Sequence, residues 1–238
     1  MASQFPGFSE GAMAFFRELK KNNTREWFQA RKHVYEESVK APMAALVEAI
    51  NEEMSSFAPQ HRNDPGKAIY RIYRDTRFSA DKTPYKTHIA AVFPRRGMVK
   101  HTSAGYYFSV SPEEVEVAGG VYMPGPPQLL AIRSHVAGHF EQFQGIAAGR
   151  TLTRLMGPLQ GNKLARVPKG FHTEHPAADI LRHKQLYYYV VLDPALATSP
   201  RLLPEVVRRF RAMAPMVDFL NAPLQANRQR AFRDNWPA

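Results

Sequence analysis

The chain has 238 residues, of which 44% are hydrophobic and 22% charged, and the absence of cysteine excludes disulfides, thiolate metal sites and cysteine nucleophiles. The longest apolar run, residues 186–192, falls far short of the ~18 needed to span a bilayer, and residues 1–7 lack the basic and apolar regions of a secretory leader. Lys and Arg number 32 against 21 Asp and Glu, a net charge of +11 that favours an anionic partner; a soluble, cytoplasmic protein with no membrane partner is expected.

Residues 9–57 read as helical. Ser9 suits an N-cap, and Met13, Phe16 and Leu19 recur at helical spacing before Asn22-Asn23 ends the turn. Thr24 caps a second helix with Trp27, Phe28, Val34 and Tyr35 on its apolar stripe, and Pro42 either starts a third helix or kinks the second, the helical period continuing to about Phe57. Residues 68–122 read as sheet, with strands over 68–74, 88–93, 105–111 and 115–122. Their short connections predict antiparallel pairing. Residues 126–192 combine a helix opened by Pro126-Pro127, an ambiguous short strand at 151–156 and a buried strand at 185–192. Ser199-Pro200 starts C-terminal helices over 199–225, with Pro215 as a kink or a new start. The pattern predicts one α+β domain over 1–238, a mainly antiparallel sheet packed against N-terminal and C-terminal helices.

Residues 71–100 hold eight Lys or Arg and two Asp, so about half of the net charge falls in thirty residues. Alternation along the first strand puts Arg71 and Tyr73 on one face, with Ile72 and Arg74 on the other. Arginine grips phosphate or carboxylate with a planar fork, and lysine supplies a movable point charge. The ligand-binding candidates are therefore Arg71, Tyr73, Arg74, Arg77, Lys82 and Lys86, with Arg133 from a later block. Asp75 and Asp81 are placed to hold the arginines or a metal, and Asp75, Asp81, Tyr85 and His88 are the candidates to move a proton. Arg71, Asp75 and Arg77 are expected close together and largely buried, with Lys82 and Lys86 turned toward a ligand. A purely structural clasp of arginines and aspartates remains an alternative on the same residues.

The run from Arg71-Ile72-Tyr73-Arg74-Asp75 through Phe78-Ser79 to Asp81-Lys82-Thr83-Pro84-Tyr85-Lys86 resembles the uncharacterised, largely bacterial family catalogued as domain of unknown function 2461. Phe5-Pro6-Gly7-Phe8, Trp27-Phe28, Gly119-Gly120-Val121-Tyr122-Met123-Pro124 and Pro168-Lys169-Gly170-Phe171 carry the same resemblance along nearly the whole chain. It implies a full-length member of that family and no particular activity.

Other motifs add little. His135 and His139 have the i,i+4 spacing of zinc ligands, but Val136 stands where a zincin carries Glu, and no metal or cofactor is expected. Gly119-Gly120 lacks the Lys of a phosphate loop, and no Gly-x-Ser-x-Gly elbow is present. Tyr187-Tyr188-Tyr189 fits a buried strand with at most one tyrosine exposed. Two functions remain: a pocket for an anionic small molecule on segment 71–86, with a possible extension to catalysis, and a nucleic-acid-binding module using the basic surface and exposed tyrosines.

Overall fold

The computed structural model describes residues 4–235, and side chains as far as residue 226. The leader expectation rests partly on residues 1–3, which lie outside the described residues. Ser9 caps α1 (Glu10–Lys21) by accepting from the Ala12 amide, and Thr24 caps α2 (Arg25–Ala30) by accepting from Trp27. A short α3 (Lys32–Val34) passes through a π-helical turn (Tyr35–Lys40) into α4 (Ala41–Met54), with Pro42 in its first turn. The 3₁₀ turn Pro59–His61 precedes α5 (Pro65–Ala68). Strands β1 (Ile89–Pro94), β2 (Gly105–Val110) and β3 (Val115–Val121) follow. Helices α6 (Pro126–Gly138), α7 (Phe140–Ala147), α8 (Arg150–Met156) and α9 (Ala178–Leu181) precede β4 (Leu186–Leu192). The long α10 (Leu202–Asn235) closes the described chain. The strands form one antiparallel sheet in the order β1-β2-β3-β4, so the molecule is α+β.

Three local expectations are corrected. Residues 68–74 are not a continuous strand: α5 occupies their start, and only Ile69 with Ala91 and Tyr73 with Tyr85 form antiparallel bridges. Residues 151–156 are helical, because burial of Leu152, Leu155 and Met156 follows the helical three-and-four spacing. Pro215 neither ends nor restarts α10, which contains it and Pro223. A proline inside a helix removes a backbone hydrogen bond. Burial of Phe210, Met213, Val217 and Leu220 along the same helix offsets that loss.

The chain forms two compact units. The first comprises Met1–Phe93, Tyr107–Val117 and Val191–Arg208. Its core includes Phe16, Leu19, Phe28, Met43, Leu46 and Ile50 from the helices, with Phe93 and Phe108 stacked 6.3 Å apart on the sheet. The second comprises Pro94–Tyr106, Ala118–Val190 and Arg209–Ala238. In it Asn221 is wholly buried, accepting from the Ala104 amide at 3.0 Å and donating to the Ala104 carbonyl at 2.9 Å. An amide side chain satisfied this way removes the cost of burying a polar group. Arg209 is buried, while Arg208 and Arg211 on the same helix are exposed. Among the described residues no helix is long and apolar enough to cross a membrane.

Candidate functional site

The segment from 71 to 86 is anchored from below. Tyr85 is 2% exposed, and its ring stacks on Phe28 with centroids 4.2 Å apart. Asn23, read from the sequence only as a helix stop, grips the Tyr85 backbone at both ends. Its Oδ1 accepts from the Tyr85 amide at 3.0 Å and its Nδ2 donates to the Tyr85 carbonyl at 2.9 Å. The Arg74 amide donates to Pro84 at 2.9 Å and the Lys86 amide to Ile72 at 2.8 Å, so the segment folds back on itself as an antiparallel finger. Pro84 restricts both itself and Thr83, which lowers the entropy lost on ordering it.

The charges lie on the outside of this finger. Asp75 takes Arg77 in a fork, with Nε donating at 3.0 Å and Nη2 at 2.7 Å. Asp81 pairs with Arg74, which also donates to the Thr83 hydroxyl. The guanidinium of Arg77 and its amide hold the Asp75 carboxyl down at about 2. Hydrogen bonds from the Thr83 amide and Arg74 hold Asp81 down to about 2 as well. Arg71, Asp75 and Arg77 are all exposed, which corrects the expectation of a buried triad. Ion pairs left at the surface avoid the desolvation penalty that burial imposes on each ion. Lys82 and Lys86 both reach back to the segment's own backbone. Lys82 Nζ donates to the Thr76 carbonyl at 2.9 Å and Lys86 Nζ to the Arg71 carbonyl at 3.0 Å, bracing the loop.

Behind the finger, still within the first unit, lies a polar group that sequence reasoning missed. Phe108 points to the core, so its neighbours Tyr107 and Ser109 share the opposite face of β2. Glu116 on β3 meets both: its Oε2 accepts from Ser109 Oγ at 2.5 Å and from the Tyr107 hydroxyl at 3.3 Å. The Tyr107 and Tyr70 rings are 6.4 Å apart, and Lys86 Nζ sits 5.1 Å from the Tyr70 ring centre. Burial pushes the Tyr70 phenol up to about 12 and raises Tyr107 further, so both stay neutral donors. His88 is half-buried, and burial followed by the Lys86 charge lowers its pKa. The available signal was Glu116 interrupting the apolar alternation Val115-Glu116-Val117 opposite Tyr107-Phe108-Ser109.

The predicted site residues therefore divide. Arg71, Tyr73, Arg74, Asp75, Arg77, Asp81 and Lys82 belong to the finger, Tyr85 beneath it, and Lys86 and His88 to the polar face. Arg133 lies in the second unit, where its Nη2 donates to the His183 carbonyl at 2.8 Å. Among the described residues no three His, Asp or Glu converge as metal ligands.

The perturbed groups set an acid limit on stability. Burial is the first cause lowering the pKa of His88, His101, His135 and His183. Each is held neutral in the fold while its unfolded counterpart takes a proton near 6.5. The unfolded state then binds more protons, so stability is full above about pH 6.5 and falls as pH drops below it. The depressed Asp75 and Asp81 add a second loss from about pH 4 downward. Melting curves from pH 8 to 3 should show both declines, and His88→Gln should flatten the first; a melting temperature that rises on acidification to pH 5 contradicts this account.

The fold and site define an α+β protein that displays a braced basic finger over a half-buried tyrosine-rich face. A family model described as conserved hypothetical protein (DUF2461) matches residues 11–219, and the chain belongs to that family. No curated protein and no solved structure matches it.

Proposed function

We infer that segment 71–86 binds a phosphate- or carboxylate-bearing small molecule. The observation that carries this reading is the placement of Arg71: the aspartates are matched to Arg74 and Arg77, and Arg71 stands exposed outside both pairs. A guanidinium offers five donors in a planar fork suited to such an anion. The bracing by Asn23, Lys82 and Lys86 keeps the backbone under it fixed, which reduces the entropy lost on binding. Binding rather than proton transfer is the role that fits the finger. Carboxylates held near 2 are weak bases, and burial makes the Tyr85 phenol a weak acid.

The test is a thermal titration with inorganic phosphate and pyrophosphate on wild type and Arg71→Ala. An exposed substitution should change stability by less than ~0.5 kcal/mol. Wild type should melt higher as the anion is raised, by about 2.7 kcal/mol of stabilisation at a hundred times Kd. The variant should show at most a small part of that rise. Equal rises in the two proteins remove Arg71 from the site, and no rise in wild type returns the segment to a structural clasp.

A second reading has its own observation. Phe78 is 94% exposed at the finger's tip, with the Arg77 guanidinium 5.6 Å from its ring centre, an arrangement on which an unpaired base could stack. Fluorescence anisotropy with single-stranded oligonucleotides checks it: affinity should fall by about 0.7 log units per phosphate contacted for each tenfold rise in salt, and Phe78→Ala should weaken it.

A further inference from the structure

We propose that His135 and His139, at the C-terminal end of α6, form a binding site for a divalent transition metal of the zinc and copper class. The site lies wholly in the second unit and is independent of the anion reading of the finger. The i,i+4 spacing alone says only that two imidazoles share a helix face. The structure adds how they are held. The His135 carbonyl accepts from the His139 amide at 3.0 Å and from His139 Nδ1, also at 3.0 Å. A carbonyl can only accept, so Nδ1 carries the proton and Nε2 of the neutral ring keeps its lone pair. Metal-bound histidines are oriented in this way, with the other ring nitrogen donating to a carbonyl or carboxylate. His139 is exposed, and its ring lies against that of His135, with centroids 4.3 Å apart and planes tilted by 38°. The His135 ring is seated on Phe219 at 4.5 Å, and Phe219 on Phe143 at 5.7 Å, both phenylalanines being buried. A ring already seated loses little further freedom when it takes up an ion.

Two imidazoles select the ion. Magnesium and calcium take oxygen ligands, whereas imidazole suits zinc, nickel and copper, with copper the tightest of the divalent series. Burial, followed by the His139 charge, lowers the His135 pKa, so His135 meets a metal as the neutral ring that ligation requires. Zinc holds each imidazole nitrogen at about 2.0–2.1 Å. Rings with centroids 4.3 Å apart bring one nitrogen of each within reach of a single ion. The ion would stand where α6 ends, and the negative end of the helix dipole favours a cation there. Among the described residues no three His, Asp or Glu gather around one point. The remaining positions of a tetrahedral ion are therefore left to water or to an incoming ligand, unlike the closed sites that hold folds.

Isothermal titration of the untagged full chain with zinc and with magnesium tests the site, on wild type, His139→Ala and His172→Ala. His139 and His172 are both exposed, so the two variants should fold like wild type. Wild type should bind zinc and leave magnesium in solution. His139→Ala should bind zinc at least about tenfold more weakly, since the second ligand of a chelate acts at high effective concentration. His172→Ala, which removes a histidine from the loop that also carries His175, should bind zinc within about twofold of wild type, because a site on α6 does not use it. Equal zinc affinity in wild type and His139→Ala overturns the site, as does a wild type that binds no zinc. A loss in His172→Ala as large as that in His139→Ala also overturns it, and so does magnesium binding as tight as zinc binding, which would exclude imidazole as the ligand.

Discussion

Replacing Phe28 by alanine should cost about 3–5 kcal/mol, the range for deleting a large buried aromatic ring. Phe28 is 1% exposed and sits at the middle of the aromatic cluster beneath the finger. Its ring centroid lies 4.2 Å from Tyr85, 5.5 Å from Tyr35, 6.3 Å from Phe15 and 6.4 Å from Tyr73. Four rings lose a neighbour at once, and packed aromatic pairs are worth about 0.5–1.5 kcal/mol beyond area burial. At roughly 2–4 °C per kcal/mol for a chain of this size, melting should fall by about 6–20 °C. The functional consequence is distinct from the loss of stability. Tyr85 rests on Phe28 and carries the backbone gripped by Asn23, so the finger should loosen while the rest of the first unit remains folded. Below its lowered melting point the variant should therefore bind phosphate more weakly than wild type. A loss of less than about 1 kcal/mol in urea unfolding would show that the cluster does not hold the finger.

The elements legible in the sequence are those fixed by local chemistry. Ser9 and Thr24 announce their helices because a hydroxyl at that position satisfies an amide the helix leaves open. The strands near 88–93, 105–111, 115–122 and 185–192 are found within a residue or two, since β-branched and aromatic runs between turns leave few alternatives. Local chemistry misled at 68–74, where a strand-like run pairs at two isolated points because Asp64 and Pro65 start a helical turn beside it. The charge cluster was visible and its exposure was not: opposite charges close in sequence pair equally well on a surface or inside. The Glu116 group needs residues from two strands facing each other, and register is a property of the sheet. Asn23 and Tyr85 stand 62 positions apart, and nothing in either neighbourhood points to the other.

Gly120→Ala should destabilise the second unit by about 3 kcal/mol, while Gly119→Ala beside it should cost about 1 kcal/mol or less. As a sequence, Gly119-Gly120 invites a phosphate-loop reading that fails for want of the lysine; the structure gives the pair a different reason. Gly120 has φ +131°, and a Cβ there would stand 2.3 Å from the Leu186 carbonyl oxygen and 2.6 Å from Tyr187 Cα. Both obstacles are backbone of β4, the strand paired with β3, and backbone cannot move aside without breaking the ladder. Backbone strain in an L residue at positive φ adds to the clash. At Gly119 the obstacle is the Met213 sulfur at 2.8 Å and its methyl at 2.9 Å. A thioether on three rotatable bonds can swing away at small cost. Urea unfolding of the two variants, each against wild type, measures the contrast directly. Gly120→Ala should lower melting by roughly 6–12 °C and Gly119→Ala by less than about 4 °C. Equal small losses would mean that β3 and β4 stand farther apart than the sheet requires, and the tyrosines of β4 would then lack the close strand pairing that fixes their register.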